Sequence, residues 1–104
     1  MKNIKKKGTN AENHIRLILE SKGYIARRSP SSLTAIDVEA VKGNTRLGIQ
    51  VKSGKGYISK KEIEDLETLA RLMGVTPLIA VKEHGDDKSR WIFKHIDGSR
   101  FEVV

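Results

Sequence analysis

Asp37, Gln50 and Lys52 carry side chains, at a spacing, that suit hydrolysis at a hard cation. Gly43-Asn44 lies between two runs that alternate apolar and polar residues, which reads as a two-residue hairpin turn. Counting back from that turn, Lys42 faces Thr45, Val41 faces Arg46, Ala40 faces Leu47, Glu39 faces Gly48, Val38 faces Ile49 and Asp37 faces Gln50. Strand side chains alternate between faces. Asp37, Glu39, Gln50 and Lys52 therefore share one face, and Ile36, Val38, Ala40, Leu47, Ile49 and Val51 share the other, a core face. Directly opposed residues have Cβ atoms about 5 Å apart. Asp37 and Gln50 are thus expected to aim their oxygens at one cation of the magnesium type, which takes oxygen ligands and leaves room for water and phosphate. Lys52, one step further on, would orient or deprotonate an attacking water and neutralise developing phosphate charge. The alternative is a solvated hairpin face, which alternation by itself also produces.

The elements around the hairpin can be read from periodicity and punctuation. Residues 1–8 read as a flexible basic arm, and residues 9–104 as one domain. Thr9-Asn10-Ala11-Glu12 has the pattern of a capping box, followed by the helical stripe Ala11, Ile15, Ile18 and Leu19 and a stop at Gly23. Tyr24 to Arg28 reads as a short strand, and Ser29-Pro30-Ser31-Ser32 as loop. Ile36–Val41 and Arg46–Lys52 are the hairpin strands. Ser59-Lys60-Lys61-Glu62 is a second capping box, which opens an amphipathic helix through Ile63, Leu66, Leu69, Ala70 and Met73 and ends at Gly74. Leu78–Lys82 and Trp91–Ile96 are two further strands, and Asp97-Gly98 turns into the last segment. The order αβββαββ predicts an α/β fold, a mixed central sheet flanked by helices.

Bulk properties narrow the function. The chain has 104 residues, 38% hydrophobic and 32% charged, which is a folded globular composition and not a disordered one. It has no cysteine, so disulfides and thiolate metal sites are excluded and a reducing, cytoplasmic setting is favoured. No apolar run reaches membrane-spanning length, and no membrane partner is expected. The formal charge is +7, and residues 1–36 hold eight basic side chains against Glu12 and Glu20. A localised positive excess binds phosphates by counterion release, although solubility alone also produces basic proteins.

Asp37, twelve intervening residues, then Gln50-Val51-Lys52 resembles the PD-(D/E)XK nuclease signature carried on a hairpin. Lys7-Gly8-Thr9-Asn10-Ala11-Glu12, Arg28 with the serines ahead of Asp37, the Gln50-Val51-Lys52 strand, and Ala80-Val81-Lys82 followed by Trp91 resemble the archaeal-type Holliday junction resolvases, over roughly residues 5–96. The resemblance implies a restriction-endonuclease-like core and Mg²⁺-dependent cleavage of branched double-stranded DNA at four-way junctions, with Mn²⁺ able to substitute, by a homodimer. It implies that Glu12 helps organise the metal site, that Asp37 is the principal ligand, that Gln50 stands where Glu or Asp is usual, and that Lys52 is the catalytic lysine. It matches Arg28 to a basic residue at the DNA, and Ser31 or Ser32 to a serine near the scissile phosphate. Ile36, not proline, precedes Asp37. Gln50 is the weightier departure, because an amide oxygen coordinates without charge; it is either a natural variant or a Glu-to-Gln replacement. Glu39 supplies the missing charge only if the local geometry shifts.

Other residues carry two readings each. Glu12 completes a capping box, and Arg16, four residues on, is placed to pair with it. Arg27 and Arg28 are expected at phosphates, as are Lys6 and Lys7 of the basic arm. Lys55 and Tyr57, in the Gly-rich segment after Lys52, suit a DNA clamp, although that segment reads equally as a linker. The run Glu62, Glu64, Asp65 and Glu67 reads as the solvated face of the second helix. Trp91, Phe93, Phe101, Val103 and Val104 are either interface material for a homodimer or the finish of the monomer's core. Two rival functions remain: another PD-(D/E)XK nuclease of repair or restriction type, and a junction-binding protein catalytically impaired by Gln50.

Overall fold

Apolar residues in this chain fall into two sets, and each set is buried by one helix against one face of a sheet. The computed structural model describes residues 4–29, 35–52, 58–84 and 89–104. Helix α1 spans Ile4–Ser21 and α2 spans Lys60–Met73. The strands are β1 Ile25–Arg28, β2 Val38–Lys42, β3 Thr45–Lys52, β4 Thr76–His84, β5 Ser89–His95 and β6 Arg100–Phe101. They form one six-stranded sheet in sequential order. Neighbours are antiparallel except β3 and β4, which run parallel because α2 carries the chain back between them. The mixed sheet is as expected; the two-residue β6, hydrogen-bonded along β5, completes it.

Ile15 and Leu19 of α1 are fully buried on Val38, Ala40, Leu47, Ile49, Leu78, Ala80 and Phe93. Leu66 of α2 is buried on the opposite face with Ile36 and Ile79. The alternation Leu78, Ile79, Ala80 divides β4 between these two clusters. Phe93 is buried in the α1-side core, and Trp91, Phe101 and Val103 pack against it. Of the five residues offered as dimer or core material, Phe93 is buried, Trp91, Phe101 and Val103 are half-buried, and Val104 is largely exposed.

The α1 boundary differs from expectation. Helix α1 covers Ile4–Ser21, so residues 4–8 are helical and Thr9–Glu12 lies within the helix and not at its N-terminus. Lys-rich first turns are good helix formers, and the helix simply extends through them. Its end is as read: the Tyr24 amide donates to the Leu19 carbonyl and the Gly23 amide to that of Glu20, both at 3.0 Å. The Ser59 box on α2 is complete, with both reciprocal hydrogen bonds formed.

The hairpin register from Val38↔Ile49 to Lys42↔Thr45 is the expected one. Gly43 has φ +60° and Asn44 does not enter positive φ, as in a turn with glycine at its first central position. Gly48 on β3 is needed for a different reason. A Cβ there would lie 2.7 Å from Ile36 Cδ1 and 2.8 Å from Val75 Cγ2. Gly48→Ala should therefore lower stability by about 1–3 kcal/mol through overpacking. Calorimetric melts would read the drop; an unchanged Tm would mean that Ile36 moves aside freely.

Candidate active site

Asp37 owes its position to a local irregularity at the start of β2. Its amide donates to the Ile49 carbonyl at 2.8 Å, although Val38 is already the residue opposite Ile49. Two residues thus oppose one, which is a bulge, and bulges re-aim side chains. The paired register stops at Val38, so Asp37 does not sit directly across from Gln50. Ile36 correspondingly packs with Leu66 and Ile79 on the α2 side, not with Val38 on the expected face. The Asp37 carboxylate accepts a hydrogen bond from the Val51 amide at 2.9 Å, between Gln50 and Lys52 in the chain.

Burial pushes the Asp37 carboxyl up from its ordinary 3.8 to about 6. The Val51 hydrogen bond opposes that rise, the negative charge of Glu12 adds to it, and the Lys52 ammonium opposes it. Asp37 therefore stands within electrostatic reach of both α1 and β3. Glu12 itself accepts from Arg28 Nε at 3.1 Å, while Arg16 pairs with Glu20 at 2.8 Å and not with Glu12. Arg27 reaches across β1–β2 to Glu39 at 3.2 Å, so Glu39 is engaged away from Asp37. Both arginine pairs are partly open to solvent. Such pairs hold little free energy and can exchange partners for phosphate.

Gln50 and Lys52 project from β3 on the α2 side. Gln50 Oε1 is buried and has no hydrogen-bond partner among the described residues. A buried polar atom left unpaired costs about 1–3 kcal/mol, which marks it as an atom made for a partner. Lys52 Nζ donates to Glu62 Oε2 at 2.9 Å, and Glu62 Oε1 accepts from the Ser59 amide. That amide and the Lys52 ammonium hold the Glu62 carboxyl below its usual value. Glu62 is thus not merely part of a solvated helix face. Its place as the fourth residue of the capping box was visible in sequence; its proximity to Lys52 was not, because it depends on where the segment after β3 returns the chain.

Asp37 at the β2 bulge is thus within electrostatic reach of Glu12 on α1 and Lys52 on β3, and Gln50 lies on β3 two residues before Lys52. Lys6 and Lys7 lie on the early turns of α1. Ser31, Ser32, Lys55 and Tyr57 fall outside the described residues. No group of three or more His, Cys, Asp and Glu side chains converges as a metal cluster among the described residues. A desolvated carboxylate and an orphaned amide oxygen are the donor types that a hard divalent cation takes, so the residues present fit such an ion.

The raised Asp37 value has a consequence for stability. The folded protein binds that proton more tightly than the unfolded chain, so the group's stabilising contribution is full below 3.8 and is lost as pH rises through about 6. Asp37→Asn keeps an oxygen for the Val51 amide and removes the buried charge. In EDTA near pH 7.5 it should be more stable than the parent by about 1–2 kcal/mol, allowing for partial solvent screening, and the gain should vanish near pH 4. Thermal melts across that range test it; a pH-independent difference would assign the effect to packing.

A six-stranded mixed sheet with a carboxylate at a strand bulge, and with Gln-Val-Lys on the adjoining strand, is a restriction-endonuclease-like fold. The family described as archaeal Holliday junction resolvase (Hjc) matches residues 3–101. The chain is similar to the crossover junction endodeoxyribonuclease Hjc of Methanocaldococcus jannaschii, 29% identical over an 89-residue alignment that covers 83% of this chain and 66% of that protein. It is also similar to the solved structure of Archaeoglobus fulgidus Hjc, a Holliday junction resolvase from an archaeal hyperthermophile. The TM-score is 0.73 and the identity 30%, over 88% of this chain and 74% of that one. This chain belongs to the archaeal Holliday junction resolvase family. The chain spans just under two thirds of the length of the Methanocaldococcus relative.

Proposed function

We propose that this protein is a metal-dependent endonuclease that resolves four-way DNA junctions by phosphodiester hydrolysis, with Mg²⁺ as the working ion and Mn²⁺ able to replace it. The observation that carries the reading is the set on and beside β3: a desolvated Asp37 carboxylate, a Gln50 Oε1 with no hydrogen-bond partner among the described residues, and the Lys52 ammonium. Asp37 and Gln50 would hold the cation, with Glu12 adding negative charge from α1. When bound, the ion supplies electrophilic polarisation of the scissile phosphate and activation of water. The Lys52 ammonium donates N–H hydrogen bonds to the phosphate oxygens and the attacking water, which stabilises charge as it develops. Arg27 and Arg28 exchange their carboxylate partners for backbone phosphates, as Lys6 and Lys7 meet phosphates further out. Ser31, Lys55 and Tyr57 are kept as proposed DNA contacts, and Ser32 as a proposed catalytic residue near the scissile phosphate, on sequence grounds alone.

Two matched nicks across a symmetric junction need two sites, and one chain has one Asp37–Gln50–Lys52 set. We therefore assign a homodimer with two equivalent sites. No helix among the described residues is long and apolar enough to cross a membrane. An intracellular, DNA-associated location follows from the proposed substrate. The deciding experiment is cleavage of end-labelled junction and linear duplex with Mg²⁺, Mn²⁺ or EDTA, beside a supercoiled cruciform that separates one nick from two. Junction cleavage that requires metal and produces paired nicks is expected. Linear duplex cut at least as fast would point to a repair or restriction-type nuclease. Junction binding without cutting under either ion would point to a binding protein impaired by Gln50.

A further inference from the structure

Lys52 is held by a residue that the nuclease signature does not contain. We propose that Glu62 is a positioning residue for Lys52, and that through it the orientation of the lysine is locked to the N-terminus of α2. The inference rests on the nuclease reading of Lys52.

Three observations carry it. Glu62 uses its two oxygens for two different jobs: Oε1 accepts from the Ser59 amide at 2.9 Å, and Oε2 accepts from Lys52 Nζ at 2.9 Å. The carboxylate is therefore not free to follow a mobile lysine, because the capping box fixes its rotamer. The reciprocal bond from the Glu62 amide to Ser59 Oγ, at 3.2 Å, fixes the same turn from the other side. Next, the ion pair is partly sheltered, with Lys52 the more covered of the two side chains. A lysine stem has four rotatable bonds, and holding the ammonium in one place needs a fixed acceptor. Last, the Val51 amide, next to Lys52 in the chain, donates to the Asp37 carboxylate at 2.9 Å, so Glu62 fixes the ammonium on the strand end that already carries that carboxylate. Helix α2 is itself anchored by Leu66 on Ile36 and Ile79, so the chain of support runs from the core to the lysine.

Glu62→Gln separates the two jobs. A glutamine oxygen still accepts from the Ser59 amide, so the cap and Tm are retained, but the charged partner of Lys52 is lost. Glu62→Ala removes both and lowers Tm by the loss of half a capping box. Two readouts decide. In protein labelled with ¹³C-lysine, the two Hε protons of Lys52, assigned by their absence in Lys52→Arg, should be non-equivalent in the parent and collapse together in Glu62→Gln. In single-turnover cleavage of a four-way junction, Glu62→Gln should be slower by about ten- to a hundredfold with junction affinity within twofold, the usual cost of removing a residue that orients a catalytic group. Non-equivalent Hε protons that survive in Glu62→Gln overturn the proposal, as does parental cleavage by that variant. Equal losses in affinity and rate also overturn it, since they make Glu62 part of DNA binding. If the parent cuts no junction, the resolvase reading falls, and the Hε signals still decide whether Glu62 holds Lys52.

Discussion

Lys52→Ala should cut at about one-hundredth to one-thousandth of the parental rate, the usual cost of deleting a group that meets charge developing in the transition state. Junction affinity should stay within about twofold, because one partly covered ammonium is a small part of a basic DNA-binding surface. Folding should be little affected. Removing Lys52 leaves Glu62 with its Ser59 hydrogen bonds and with access to water, so no buried charge is stranded. The measurement is a single-turnover rate at saturating protein, set beside a binding isotherm in EDTA. A loss shared equally between rate and affinity would reduce Lys52 to a phosphate contact and leave the proposed chemistry without its lysine.

The second large effect is expected at Gln50. Its Oε1 is buried with no hydrogen-bond partner among the described residues, and the residue after it, Val51, donates its amide to the Asp37 carboxyl that burial has already pushed up to about 6. Gln50→Glu adds a second carboxylate to that site. Without metal the two repel, and Tm in EDTA should fall. With metal the added charge should strengthen Mg²⁺ binding by about ten- to a hundredfold, since a charged oxygen is the harder ligand. Cleavage at limiting Mg²⁺ should rise in step. Calorimetric titration of Mg²⁺ into both proteins tests this directly, with Tm in EDTA and in Mg²⁺ as a second reading. Unchanged affinity would mean that the Gln50 oxygen is not a ligand, and an already high parental affinity would mean that the amide is sufficient.

Short-range regularities explain most of what the sequence by itself determined. The Gly43-Asn44 turn admits one register, and the polar and apolar alternation along β3 separates Gln50 and Lys52 from Ile49 and Val51. The Ser59–Glu62 box and Gly74 bound α2 by hydrogen bonds between near neighbours. The element order and the shared face of Gln50 and Lys52 follow from these, because period, turn chemistry and capping act within a few residues. Tertiary structure decided the rest. The bulge at Asp37 shifts the alternation by one residue, sending Ile36 to the α2 face and giving the carboxylate to the Val51 amide. Nothing within the hairpin announces it; the apolar space under Leu66 and Ile79 accepts Ile36 and makes the bulge favourable. The choice of Arg28 over Arg16 for Glu12, and of Glu62 for Lys52, was likewise settled only when α1 and α2 were laid on the sheet. Ion pairs are selected by proximity in space, and their partners here stand ten and sixteen residues apart along the chain.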